Sequence, residues 1–89
     1  MSEVRWRVVL RPSARKDLRR LDPPVRKRVI TALEQLARSG PKAGELVRLK
    51  GRSGSRLRVG DWRVVIELDR GSQTIEVKRV LPRGRAYER

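Results

Sequence analysis

The sequence holds no cysteine and no histidine, and its aromatics are two tryptophans, one tyrosine and no phenylalanine. Without cysteine there are no disulfides and no thiolate chemistry, which fits a reducing cytoplasm. Without histidine the usual proton carrier near neutral pH is gone, and with both missing so are Cys/His metal sites. No stretch approaches the roughly 20 apolar residues of a membrane span. The opening MSEVRWRVVLR lacks the uninterrupted apolar run of a signal peptide. No amphipathic segment carries the bulky apolar anchors that a membrane surface requires. Acids are scarce as well: 10 Asp and Glu face 24 Lys and Arg, a net charge of +14. Repulsion of that size opposes compaction and points to a polyanionic partner, either nucleic acid or an acidic protein. The 89 residues suffice for one modest core, so residues 1–89 are expected to form a single domain. The expectation is a soluble cytoplasmic domain with no metal, no cofactor and no membrane partner. Any catalysis falls to Arg, Lys, Tyr, Ser, Thr or carboxylates.

Hydrophobic periodicity supplies the order of elements. Residues 3–10 alternate, with Trp6, Val8 and Leu10 on one face and Arg5, Arg7 and Val9 on the other, as a strand does. Ala14, Leu18 and Leu21 then recur at helical spacing, with Ser13 as N-cap. A second helix runs from Asp22, its cap, through Pro23 in the first turn to Gly40, its stop. Its apolar stripe is Val25, Val29, Ile30, Leu33, Leu36 and Ala37. Residues 41–54 read as an ordered loop with a short extended stretch. Strands follow at 55–59, 61–69 and 74–81, joined by a tight turn at Gly60–Asp61 and a hairpin around Gly71. The fold class is therefore α+β in the order β-α-α-β-β-β, a helical hairpin packed on one face of a small, mostly antiparallel sheet.

Charge separates the helices from the sheet. Arg15, Lys16, Arg19, Arg20, Arg26, Lys27 and Arg28 read as a solvated face that adds only long-range attraction. Arg48, Lys50, Arg52, Arg56, Arg58 and Arg63, by contrast, crowd into one stretch where Asp61 is the sole acid. Alternation puts Arg56 and Arg58 side by side on one face. With adjacent strands, Arg63 and either Lys78 or Arg79 join them, and the tail adds Arg83 and Arg85. Such a face suits phosphate contacts by bidentate arginine forks. Trp6 and Trp62 share parity with core positions and read as core. Tyr87, at the polar end of VLPRGRAYER, either packs loosely on the sheet or serves as a base-stacking or proton-transfer residue beside arginines. Cleavage of RNA by its own 2′-hydroxyl needs a base, a stabiliser for the phosphorane charge, and an acid for the leaving 5′ oxygen. Arginines supply the second but not the others, since their pKa exceeds ~12. A tyrosine or lysine serves as proton carrier where neighbouring cations lower its pKa.

Four segments carry a resemblance: ARKDLRRL, VRKRVITALEQL, RLKG…SRLRVGDWRVVIELD and IEVKRVLPRGRAYER. Together they are similar to the RelE/ParE toxin superfamily, on the RelE side, over nearly the whole chain. RLRVGDWRVVIELD resembles the family's R-x-G-D-[YW]-R-[VL]-[VIL] segment, and Arg83 with Tyr87 resembles its C-terminal H-R-x-x-x-Y. The resemblance implies the RelE-like microbial ribonuclease fold and a toxin of a type II toxin–antitoxin pair. Its activity would be metal-independent, ribosome-dependent endonucleolytic cleavage of mRNA in the decoding site. It implies Arg63 and Arg83 at the scissile phosphate, Tyr87 stacked on a base and acting as general base, and Arg56 in support. Arg58, Lys50, Arg52, Arg48, Arg85 and Lys78 would hold RNA and the ribosome. The implied partners are a cognate acidic antitoxin, in a hetero-oligomer that covers the basic face, together with mRNA and rRNA. Two positions depart from the pattern: Pro82 stands where a histidine is common, and Arg56 where some members carry lysine. The ParE branch shares the fold but inhibits DNA gyrase, so gyrase inhibition is the alternative, beside a catalytically weak basic RNA-binding homologue.

Overall fold

The computed structural model describes residues 5–40, the backbone at 46–48, and residues 54–84. The elements are β1 (Arg7–Leu10), α1 (Pro12–Arg20), α2 (Pro23–Ser39), β2 (Leu46–Arg48), β3 (Gly54–Val59), β4 (Trp62–Asp69) and β5 (Thr74–Pro82). The five strands form one sheet in the order β1-β5-β4-β3-β2. β1 and β5 run parallel, and the other neighbours are antiparallel. The expected α+β fold and element order hold, and the short extended stretch expected before residue 54 is strand β2, paired with β3 from Leu46–Leu57 to Arg48–Ser55.

Strand alternation sorts the sheet into a packed face and an open one. Leu57, Val64, Ile66, Ile75, Val77 and Val80 point to the helices and are buried. They meet Ala14 and Leu18 of α1 and Val29, Leu33, Leu36 and Ala37 of α2. Burial of each large aliphatic side chain stabilises the fold by about 1.5–3 kcal/mol relative to exposure. Trp6 is buried in this core as expected, with its backbone N–H donating to the Ala37 carbonyl at 2.8 Å. Trp62 is half-buried and packs against the edge of the core. Ile30, expected on the apolar stripe, is 40% exposed. It lies one residue, or 100° of helix, round from Val29.

The helix ends differ from the sequence reading at the caps. Ser13 is not the N-cap of α1. Arg11 takes that place and Pro12 opens the helix, because proline's fixed φ suits the first helical position. Ser13 lies inside the first turn with its hydroxyl turned to β5. Asp22 stands at the N-cap of α2 but makes no side-chain cap bond; its carbonyl accepts the Arg26 N–H at 2.9 Å. Only Leu21 and Asp22 separate the two helices. Arg26, expected to be solvated, closes that junction by donating to the carbonyls of Leu18 (3.0 Å) and Leu21 (2.9 Å). These carbonyls lie at the C-terminal end of α1, where that of Leu18 also accepts the Leu21 N–H at 3.1 Å. Gly40 ends α2 at φ +87°, a left-handed geometry in which glycine has no steric penalty. In the 70–73 turn the positive φ belongs to Gln73, not Gly71, while Ser72 N–H donates to Asp69 Oδ1 at 3.2 Å.

Candidate functional site: the arginine end of the open sheet face

The open face of the sheet is electrically divided. Towards the β4–β5 hairpin it carries Glu67 and Glu76, each already matched: Lys78 Nζ lies 2.7 Å from Glu67, and Arg11 Nη1 lies 2.8 Å from Glu76. A hollow there is lined by Glu67, Asp69 and Glu76 against Arg70, among others, so carboxylates outnumber cations and it does not favour an anion. Towards the β3–β4 turn the same face carries Arg56, Arg58 and Arg63, with Arg83 beside the turn. Arg58 and Arg63 are directly opposite one another across the strands. Like charges in that arrangement are destabilising, which gives the pair the character of a site for an external anion.

The turn between these strands is built around Gly60, whose φ of +58° suits a two-residue hairpin. Arg28 of α2 lies over it, so closely that a Cβ at position 60 would come within 2.6 Å of Arg28 Nη2. From below, Arg63 Nη1 donates to the carbonyls of Gly60 and Trp62, both at 2.9 Å. Arg63 is only 5% exposed. Alternation placed this arginine on the open face correctly, but not its burial. Its guanidinium braces the turn instead of standing free as a surface fork. Arg83 comes to the same turn from the other side. Its backbone N–H donates to the Asp61 carbonyl at 2.8 Å, and its side chain is exposed. Arg63 thus supplies a fixed buried charge, while exposed Arg58 and Arg83 and half-buried Arg56 supply reach.

Other expected members are placed elsewhere or not described. Lys78 is drawn to Glu67, in the acidic half of the face. Arg79 does not join the arginines either: it turns to α1, where Nε and Nη2 donate to Asp17 Oδ2 and Oδ1 at 2.8 and 3.2 Å. The backbone of Arg48 pairs with Ser55 in β2. Lys50, Arg52, Arg85 and Tyr87 lie outside the described residues. Among the described residues no acidic cluster suits a metal ion.

Asp17 escaped the sequence reading, although it is the sole acid between residues 4 and 21. Burial pushes its carboxyl up, but the Arg79 hydrogen bond, the Val80 N–H and the charges of Arg79 and Arg20 outweigh that and hold it below its ordinary value. The same hydrogen bond raises Arg79.

Comparison with known proteins decides the family. The family described as ParE toxin of type II toxin-antitoxin system, parDE, matches residues 8–87. The chain belongs to the RelE/ParE superfamily of type II toxins. No curated protein sequence matches it. Among solved structures, the toxin is similar to the RelBE2 toxin-antitoxin complex of Mycobacterium tuberculosis, at 27% identity and a TM-score of 0.76, over 90% of this chain and 100% of that one. The RelB-RelE complex of Methanococcus jannaschii is similar at 29% identity and a TM-score of 0.71, over 90% and 95%. The isolated Escherichia coli RelE toxin, at 19% identity and a TM-score of 0.75 over 92% and 88%, shares the fold. The toxin's RelE-like architecture therefore agrees with the expectation from its sequence. No helix among its described residues is long and apolar enough to cross a membrane.

Proposed function

We infer that this toxin is an endoribonuclease that cuts messenger RNA on the ribosome, in the manner of the RelE branch. The observation that carries this reading is the Arg83 N–H bonded to the Asp61 carbonyl at 2.8 Å. That bond brings the base of the C-terminal arginine tail to the turn braced by Arg63, beside Arg58 and Arg56. The result is a group of guanidinium charges at one end of the sheet. Such a group stabilises developing phosphorane charge, which is the largest demand of a transphosphorylation.

In the proposed reaction the 2′-oxygen of the RNA attacks the adjacent phosphorus. The P–O5′ bond breaks as the departing oxygen takes a proton from solvent, leaving a 2′,3′-cyclic phosphate and a free 5′-hydroxyl. Arg83 and Arg63 oppose the charge on the non-bridging oxygens, with Arg56 in support. Tyr87 stacks on the substrate base and takes the 2′ proton. Arg58, Lys50, Arg52, Arg48, Arg85 and Lys78 hold the wider RNA and rRNA surface. Lys78 does so only after exchanging Glu67 for a phosphate. No metal takes part. An acidic antitoxin is the proposed protein partner, supported by the RelB-bound state of the similar toxins from M. tuberculosis and M. jannaschii.

A second reading has its own support: the matching family bears the ParE name. In that reading the toxin poisons DNA gyrase and needs neither arginine forks nor a proton carrier. Primer extension on a message in a cell-free translation system separates the two. Cuts within codons that require ribosomes support cleavage. An intact message together with inhibited gyrase supercoiling supports the second reading.

A further inference from the structure

The route by which β5 delivers Arg83 to the turn depends on a single extra residue. In the outer half of the β4–β5 pair Ile66 faces Val77, whereas the next pair is Val65 with Arg79, so Lys78 is a bulge. An unbulged strand would carry the Ile66–Val77 register onward. Val80 would then face Arg63 in place of Leu81, and Pro82 would face Asp61 in place of Arg83. Proline has no N–H to donate, so the bond that anchors the tail would not exist. The bulge is thus a condition for the site's geometry and not a local irregularity.

What holds the bulge lies on α1. The pairing of β1 with β5 ends at Leu10–Val77, and Arg11 N–H closes it on the Val77 carbonyl at 2.9 Å. From there α1 takes over the strand edge. Ser13 Oγ donates to the Lys78 carbonyl at 2.8 Å. Val80 N–H donates to Asp17 Oδ2 at 2.8 Å, and Arg79 grips the same carboxylate with two nitrogens. Ser13 and Asp17 are four residues apart and so share one face of the helix. Residues 78, 79 and 80 are each bound to that face, and the Asp17 side chain is only 11% exposed.

We propose that Ser13 and Asp17 form a clamp that sets the register of β5 and thereby positions Arg83 at the β3–β4 turn. They are positioning residues: neither faces the arginine group, and both act through the strand. Their relevance to catalysis rests on the proposed role of Arg83, but the clamp itself does not.

The test is amide hydrogen exchange and cross-strand NOEs on the ¹⁵N-labelled full-length chain, comparing wild type, Asp17→Ala, Asp17→Asn and Ser13→Ala. In Asp17→Ala the Arg83 amide is expected to exchange about tenfold faster relative to those of Ile66 and Val77, the scale of one net hydrogen bond. The Arg63–Leu81 NOE gives way to Arg63–Val80. Asp17→Asn keeps an acceptor for Val80 N–H and recovers part of the protection. If Asp17→Ala does not fold, Ser13→Ala, which removes only an exposed hydroxyl, is expected to shift the same amides in the same direction. Unchanged Arg83 protection and pairing in the variants, or a loss spread evenly over all strands, overturns the clamp. Alongside this, single-turnover cleavage of ribosome-bound message is expected to slow at saturating toxin with the half-saturating concentration unchanged. A wild-type chain that cuts nothing removes the catalytic reading and leaves the exchange pattern to decide the clamp.

Discussion

The backbone N–H of Arg83 and the carbonyl of Asp61 are joined by a 2.8 Å hydrogen bond. Asp61 lies in the β3–β4 turn and Arg83 just beyond the last strand, so the bond fixes the start of the tail against the tightest turn in the sheet. Because the bond is made by main chain, it separates where Arg83 stands from what its side chain does. Arg83→Ala keeps the N–H and loses the guanidinium. Thermal unfolding of this variant is expected to stay within about 0.5 kcal/mol of wild type, as for an exposed site, while growth inhibition on expression is abolished. A large fall in stability would mean that the side chain holds the fold.

Arg63 is expected to behave differently. Its Nη1 donates to two turn carbonyls and its side chain is almost fully buried. Removing a charged donor from these part-buried bonds costs about 1–3 kcal/mol. Arg63→Ala should therefore lose both stability in urea unfolding and activity, with Arg63→Lys recovering stability in part. An Arg63→Ala chain as stable as wild type would show that the brace contributes nothing.

Gly60 tests the turn from above. A left-handed backbone costs a residue with a side chain roughly 1–2 kcal/mol, and a Cβ there also meets Arg28 Nη2 at 2.6 Å. Gly60→Ala is expected to destabilise. Arg28 Nη2 ends a flexible side chain that can swing aside, so the backbone part carries the cost and an Arg28→Ala background should change it little. A Gly60→Ala chain as stable as wild type would contradict the left-handed geometry at this turn.

Asp17 gives a pH dependence with a defined sign. Its carboxyl titrates below the ordinary value in the folded chain. A depressed folded value means that its contribution is fully present above the unfolded value and is lost as pH falls through the folded one. The groups facing it, Arg79, Arg20 and the Val80 N–H, keep their charge or dipole over that range. The stability difference between wild type and Asp17→Asn should therefore be constant from neutral pH down to about pH 5 and shrink below about pH 4. A difference that grows on acidification contradicts the assignment.

How much of this was legible in the sequence depended on whether a feature is periodic. Val64, Ile66 and Leu68 alternate, and so do Arg56 and Arg58. The sheet, its two faces and the side bearing arginine therefore followed from parity. Val29, Leu33 and Leu36 likewise gave α2 its buried stripe. Parity could not show that Arg63 is buried beneath a turn, nor that Arg79 and Lys78 leave the arginine group for Asp17 and Glu67, because a bulge breaks the alternation at Lys78. It also hid Arg26, whose guanidinium reads as one more solvated charge until the two-residue junction brings the carbonyls of Leu18 and Leu21 to it. The lone acid of α1 was the available signal for the clamp. Its partners, Arg79 and the Val80 N–H, lay in a strand that no local pattern could assign to it.

The most direct test of the account is the single-turnover cleavage rate of a message held in the decoding site of purified ribosomes, with the 3′ ends of the products identified. The wild-type toxin should leave 2′,3′-cyclic phosphate ends. Arg83→Ala should cut at least about 100-fold more slowly, the scale set by loss of one charge-stabilising group, and Tyr87→Phe should show a steep fall. A message that stays intact, or one that Arg83→Ala cuts as fast as wild type, would contradict it.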